Sequence, residues 1–135
     1  MYKRQVRACS GAAEGGHLEI LKYLHENGCQ WDKWTCEYAA AMGHLECLKY
    51  SHENGCPWDE EACIYAVSHG HLECLKYLLE HDCPMSVTIY EICVNIFQYK
   101  TKIWFQVYMY VKKEIIDEYT LHIHHKVLRL SLIHI

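Results

Sequence analysis

The sequence predicts an all-α solenoid of helix-turn-helix units with an irregular or weakly structured C-terminal tail. Three observations lead there: a 27-residue period through residues 6–86, apolar side chains at helical spacing within each period, and an abrupt change of composition near residue 95.

The period is carried by whole columns of residues. Gly16, Gly43 and Gly70 stand 27 apart, followed by His17, His44 and His71, then Leu18, Leu45 and Leu72. Leu21, Leu48 and Leu75 form another column, and the run from His44 to Tyr50 recurs unchanged at His71 to Tyr77. A period of about twenty to fifty residues marks a stack in which each unit buries its apolar face only against its neighbours. The units run from about 6 to 32, 33 to 59 and 60 to 86.

Each unit divides into two helices. In the second helix of the middle unit, Leu45, Leu48 and Ser51 fall three apart beside Cys47 and form one narrow apolar stripe. Glu46 and Lys49 lie opposite as an i,i+3 pair on a solvated face. Asn54-Gly55 ends this helix, because glycine accepts the left-handed conformation of a C-cap. Cys56-Pro57-Trp58 makes a turn, and Asp59 is placed to cap the next helix. The first helix, about Lys33 to Met42, carries Ala39 and Ala40, small enough for neighbouring helices to approach closely.

The run Ala39-Ala40-Ala41-Met42-Gly43-His44-Leu45-Glu46 resembles the core of the ankyrin repeat, and Ala12 to His17 and Ala66 to His71 match it too. Asn27-Gly28-Cys29 and Asn54-Gly55-Cys56 stand where that family has Asn-Gly-Ala. The resemblance covers about residues 6 to 86. The usual ankyrin unit is about 33 residues long. This one is shorter, so β-hairpin fingers between units are not expected, and the resemblance leaves the first helices and short turns as contact face. Units of this length resemble ankyrin arrays of giant viruses and some protists; the odd cysteine count and the lack of a secretory signal point to an intracellular, cytoplasmic setting, the host's if the source is viral.

Other classes find little support. The net charge is −4, and the 13 Lys and Arg residues form no basic stripe, so neither nucleic acid nor a membrane surface is an expected partner. No apolar run is long enough to span a membrane, and the first residues do not form a secretory signal. Eight of the nine cysteines fall into 27-residue columns; Cys93 does not. Repeats use cysteine as a small buried residue, so free thiols in a reducing compartment are expected rather than a disulfide framework.

Candidate chemistry is weak everywhere. His44 with Cys47, and His71 with Cys74, are i,i+3 pairs, but a zinc centre needs four ligands and these pairs lie a full unit apart. His122, His124 and His125 read as a polar stretch. Glu60 and Glu61 are adjacent on a helix and do not face each other, and no cysteine carries the signature of an activated nucleophile. No catalytic residue, cofactor or metal is therefore assigned.

Partner contact is expected where units differ, since invariant columns are those the stack requires. Trp34 stands against Glu61, Glu37 against Ile64, Ala41 against Ser68, and Met42 against His69. With Lys33 and Glu60 in the first turns, these ten residues form the candidate binding set. Trp31 and Trp58, kept in both turns, read as packing anchors.

The stretch from Asn95 to Ile135 contains no Gly, Ala or Pro. Ile103 to Val111 is strand-like by propensity. A small β domain, a cap on the open end of the array, and a reading frame not selected for this fold all remain compatible. Composition favours the last for residues 105–135, whereas Val87, Tyr90, Val94 and Phe97 predict a degenerate helix docked on the third unit. The repeat domain is accordingly set at 1–94 and the tail at 95–135. The expected function is that of a protein-binding scaffold or adaptor, not an enzyme; the alternative is a fragment or frameshifted remnant of a longer array.

Overall fold

The structure is a computed structural model, and it describes residues 2–85, 88–89, 91–92 and 106–114. Helices α1 (Tyr2–Glu14) and α2 (Leu18–Glu26) form the first pair, α3 (Lys33–Met42) and α4 (Leu45–Glu53) the second, and α5 (Glu60–Ser68) and α6 (Leu72–Glu80) the third. A further helix among the described residues, α7, spans residues 106–114. Among the described residues there is no strand, and no helix is long and apolar enough to cross a membrane. Helix starts keep the register of the sequence columns, at Leu18, Leu45 and Leu72 and again at Lys33 and Glu60.

Local chemistry sets these boundaries. The Asp32 carboxylate accepts the Trp34 amide at 3.0 Å, and Asp59 accepts that of Glu61 at 3.0 Å, each satisfying an orphan donor of its helix. At the other end of the pair, Asn27 and Asn54 donate to the carbonyls of Tyr23 and Tyr50 at 2.7 and 2.8 Å. In the third unit the Asn-Gly pair is replaced by His81-Asp82. Asp82 then adopts the left-handed conformation at φ 61°, and His81 Nδ1 lies 2.8 Å from the Tyr77 carbonyl.

The Gly-His column is a stacking device as well as a turn. Gly43 sits at φ 75°, and a Cβ added there would lie 2.5 Å from the His71 ring of the next unit. Gly16 has the same relation to His44, at 2.7 Å. Each histidine therefore lies over the bare glycine of the unit before it, which explains why the two columns recur together.

First helices pack more closely on one another than second helices do. The contact surfaces are small: Ala12, Ala13, Cys36, Ala39, Ala40, Ala62 and Ala66 are all buried. The wider gap between second helices is filled by aromatic rungs. His25 stacks on Trp31 at 4.0 Å with Tyr50 edge-on to both, and His52 stacks on Trp58 at 3.7 Å with Tyr77 edge-on. The turn tryptophans thus pack between units. Behind them, Leu21, Leu48 and Leu75 form a fully buried row, with the Glu19–Lys22, Glu46–Lys49 and Glu73–Lys76 pairs on the solvated face.

The strand expectation for Ile103 to Val111 is overturned for its described part, which lies in α7. The reason is tertiary. The third unit presents an apolar face that only packing can cover, and such packing routinely outweighs β propensity. Val107 and Val111, four apart on α7, are buried in the same core as Leu78 and Ile89. Lys22 lies over the Tyr50 ring, Lys49 over Tyr77 and Lys76 over Tyr110, at 5.7 to 5.9 Å, so α7 stands toward α6 as α6 stands toward α4. Residues 88–89 and 91–92 are helical and Ile89 is buried, while Val87, Tyr90, Val94 and Phe97 lie outside the described residues.

Candidate protein-binding face

Helix α3 is flanked by α1 and α5 and backed by α4, which leaves one narrow strip of its surface open. Trp34, Tyr38 and Met42, spaced four apart, are 48%, 42% and 42% exposed along that strip. Tyr65, one unit on from Tyr38, is 39% exposed on α5. His69 continues the strip, its Nδ1 3.0 Å from the Tyr65 carbonyl. Arg7 on α1, one unit before Trp34, is exposed at the other end.

Two of the expected contact residues do not lie on this strip. Glu37 and Ala41 are only 6% and 4% exposed. Positions one residue short of the strip rotate into the seam between first helices, where the next unit covers them; Ser10, one unit before Glu37, is buried likewise. Of the others, Lys33, Glu60, Trp34, Met42 and His69 are exposed, and Glu61, Ile64 and Ser68 are half-buried. Tyr38 and Tyr65 were not among the expected residues. They are the same in both units, so a search for differences passes over them, although their aromatic character at i,i+4 from positions 34 and 61 was visible in the sequence.

Lys33 is engaged in holding units together. Its ammonium donates to Asp59 Oδ2 at 2.9 Å and lies 3.6 Å from Glu37 Oε1. Burial pushes the Glu37 carboxyl up to about 7, against the opposing charge of Lys33, and its buried Oε1 has no hydrogen-bond partner. Burial also works against the Asp59 carboxylate, but the hydrogen bonds from Lys33 and the Glu61 amide outweigh it and hold Asp59 below its usual range. This seam is structural, and its pH dependence has a definite sign. The folded chain keeps a proton on Glu37 that the unfolded chain releases near 4.5, so ionisation of Glu37 removes stability as pH rises from about 4.5 to 7. Glu37→Gln is expected to match wild type near the lower pH and to exceed it by about 1–3 kcal/mol above the upper one. Urea unfolding of both proteins across that range checks this. Burial lowers the pKa of His52 and His71 in both proteins, so their opposite pH effect cancels in the comparison.

No group of three or more His, Cys, Asp or Glu side chains among the described residues is arranged to hold a metal ion. The helix pairs, the Gly-His stacking column and the small-residue seam are the features of one repeat family, and the model of that family, ankyrin repeats (many copies), matches residues 9–50 and 36–79. The chain belongs to the ankyrin-repeat family. The two matches together cover more than half of it. No curated protein and no solved structure matches the chain. Ankyrin repeats are in general protein-interaction modules; within this array Trp34, Tyr38, Met42 and Tyr65 are exposed along the first helices, and Ile20 and Tyr23 are exposed on α2.

Proposed function

We propose that this ankyrin array is a scaffold or adaptor that binds another protein along the exposed strip of its first helices. The observation that carries this reading is the set Trp34, Tyr38, Met42 and Tyr65, large side chains aligned on adjacent helices and each at least a third exposed. Trp and Tyr are the residues that most often dominate binding energy, and an aligned apolar patch of this kind marks an interaction surface. Arg7 lies at one end of the strip and Glu60 and Glu61 at the other, so a partner segment has a preferred direction along it. Ser68 and His69 border it at the turn, and Ile64 is half-buried beside it. A cytoplasmic location is part of this proposal and rests on the eight described cysteines being free thiols, as a reducing compartment keeps them.

Photo-crosslinking tests the face. A photoreactive residue placed at 38 should capture a protein partner, and one placed at 20, more exposed than 38 but on α2, should not. Trp34→Ala, Tyr38→Ala and Tyr65→Ala together should weaken that partner's binding by ~100-fold or more, as loss of central aromatic contacts does. Because these side chains contribute little to the core, melting should move by only a few degrees. Capture through position 20 and unchanged affinity of the triple variant would refute the assignment.

A further inference from the structure

Six cysteines of the array are placed as three identical pairs. Cys9, Cys36 and Cys63 lie in the first helices, and Cys29, Cys56 and Cys83 lie in the turns that follow the second helices of the same units. The three turn thiols donate to the carbonyls of Gln5, Asp32 and Asp59, at 3.4, 3.2 and 3.3 Å. Those carbonyls stand four residues before Cys9, Cys36 and Cys63, one helical turn away along the same face. That places each turn thiol beside the first-helix thiol of its own unit, a neighbour that raises the first-helix thiol's pKa. The two remaining described cysteines, Cys47 and Cys74, are buried in second helices outside these pairs.

A small apolar residue would serve packing alone, and a thiol placed beside a second thiol in all three units adds a chemistry that packing does not use. We infer that Cys9–Cys29, Cys36–Cys56 and Cys63–Cys83 are three reversible dithiol–disulfide sites, each able to staple one helix pair when a small-molecule disulfide is the oxidant. In each site one protein thiolate attacks a sulfur of the oxidant and expels a small thiolate, which takes up a proton. The second protein sulfur then attacks the mixed disulfide and expels another. Per site, two protein S–H bonds and the oxidant's S–S bond break, one protein S–S bond and two small-molecule S–H bonds form, and two electrons pass to the oxidant.

The sites differ in access. Cys29 is half-buried, whereas Cys56 and Cys83 are buried. Burial pushes the Cys9 thiol up to about 12, and hydrogen bonds to Cys56 and Cys83, with burial behind them, push Cys36 and Cys63 up as well. Buried thiols react through their thiolates only when the local structure opens, so the outer Cys9–Cys29 site should oxidise first. The stapled array is then more resistant to unfolding, since each bond restrains a loop of the unfolded chain.

The test uses the full chain with glutathione disulfide, followed by alkylation and non-reducing peptide mass spectrometry. The expected result is intramolecular linkage 9–29 first, then 36–56 and 63–83, with Cys47 and Cys74 alkylated only after denaturation. The melting temperature should rise by more than about 5 °C and return on addition of dithiothreitol. Cys29→Ser should abolish the 9–29 linkage alone, and Cys47→Ala should leave all three. Scrambled linkages, dimers, stable glutathione adducts or unreacted thiols in the folded protein would overturn the inference. None of these outcomes bears on the binding strip, whose residues include no cysteine.

Discussion

Leu48→Ala is expected to remove about 2–5 kcal/mol of stability, the usual cost of truncating a leucine in a core that cannot collapse around the gap. Leu48 is fully buried, and Leu21 and Leu75 lie fully buried at the same position of the units on either side. In a one-dimensional stack each unit is held by its two interfaces, so a cavity in the middle unit weakens both. Urea unfolding of the variant against wild type checks the value. Ile20→Ala, on the exposed side of α2, is the control and should change stability by less than about 0.5 kcal/mol. A Leu48→Ala loss as small as that would mean that the buried row does not hold the stack.

Shortening the chain to end at residue 85 should have an effect of similar or greater size. It removes Ile89, Val107 and Val111, each almost wholly buried, and strips cover from the apolar face that includes Leu78. Burying an aliphatic side chain contributes about 1.5–3 kcal/mol, so the three together are worth several. Three bare units also stand near the minimum for a stable solenoid, and an uncovered terminal face invites aggregation. We therefore expect the shortened chain to melt well below the full chain or to precipitate, and Val107→Asp with Val111→Asp to reproduce that loss within the full chain. Equal melting of shortened and full chains would support the unselected tail that composition suggests. The burial of Val107 and Val111 argues instead that residues 106–114 cover the open face of the third unit.

The repeating part of the molecule could be read closely from its sequence because every boundary has a local chemical cause. Asp32 and Asp59 cap helices, Asn54-Gly55 ends one, and the periodic leucines and cysteines face inward, so identical residues imply identical geometry. Exposure along the first helices is less legible. Helical periodicity places positions 34, 37 and 41 on one broad side of α3, but it does not say how much of that side a neighbouring helix covers. Glu37 and Ala41 are buried where α3 is flanked by its neighbours, and the open strip shifts by one residue to Tyr38 and Met42. The strand propensity of Ile103 to Val111 fails at residues 106–111 for a related reason. Val, Tyr and Ile favour strands on average, and the register that would have aligned α7 with α6 does not extend to it. More chain separates Lys76 from Tyr110 than separates Lys49 from Tyr77, so the equivalence of the two contacts emerges only once the chain is folded.

The first-helix strip and the second-helix surface lie on different sides of the same units, which allows one experiment to separate them. Hydrogen exchange of the full chain, alone and bound to the partner captured through position 38, reports protection along every helix at once. Binding along the strip should add protection to residues 34–42 and 61–69 and leave 45–53 and 72–80 nearly unchanged. Added protection confined to the second helices would contradict it.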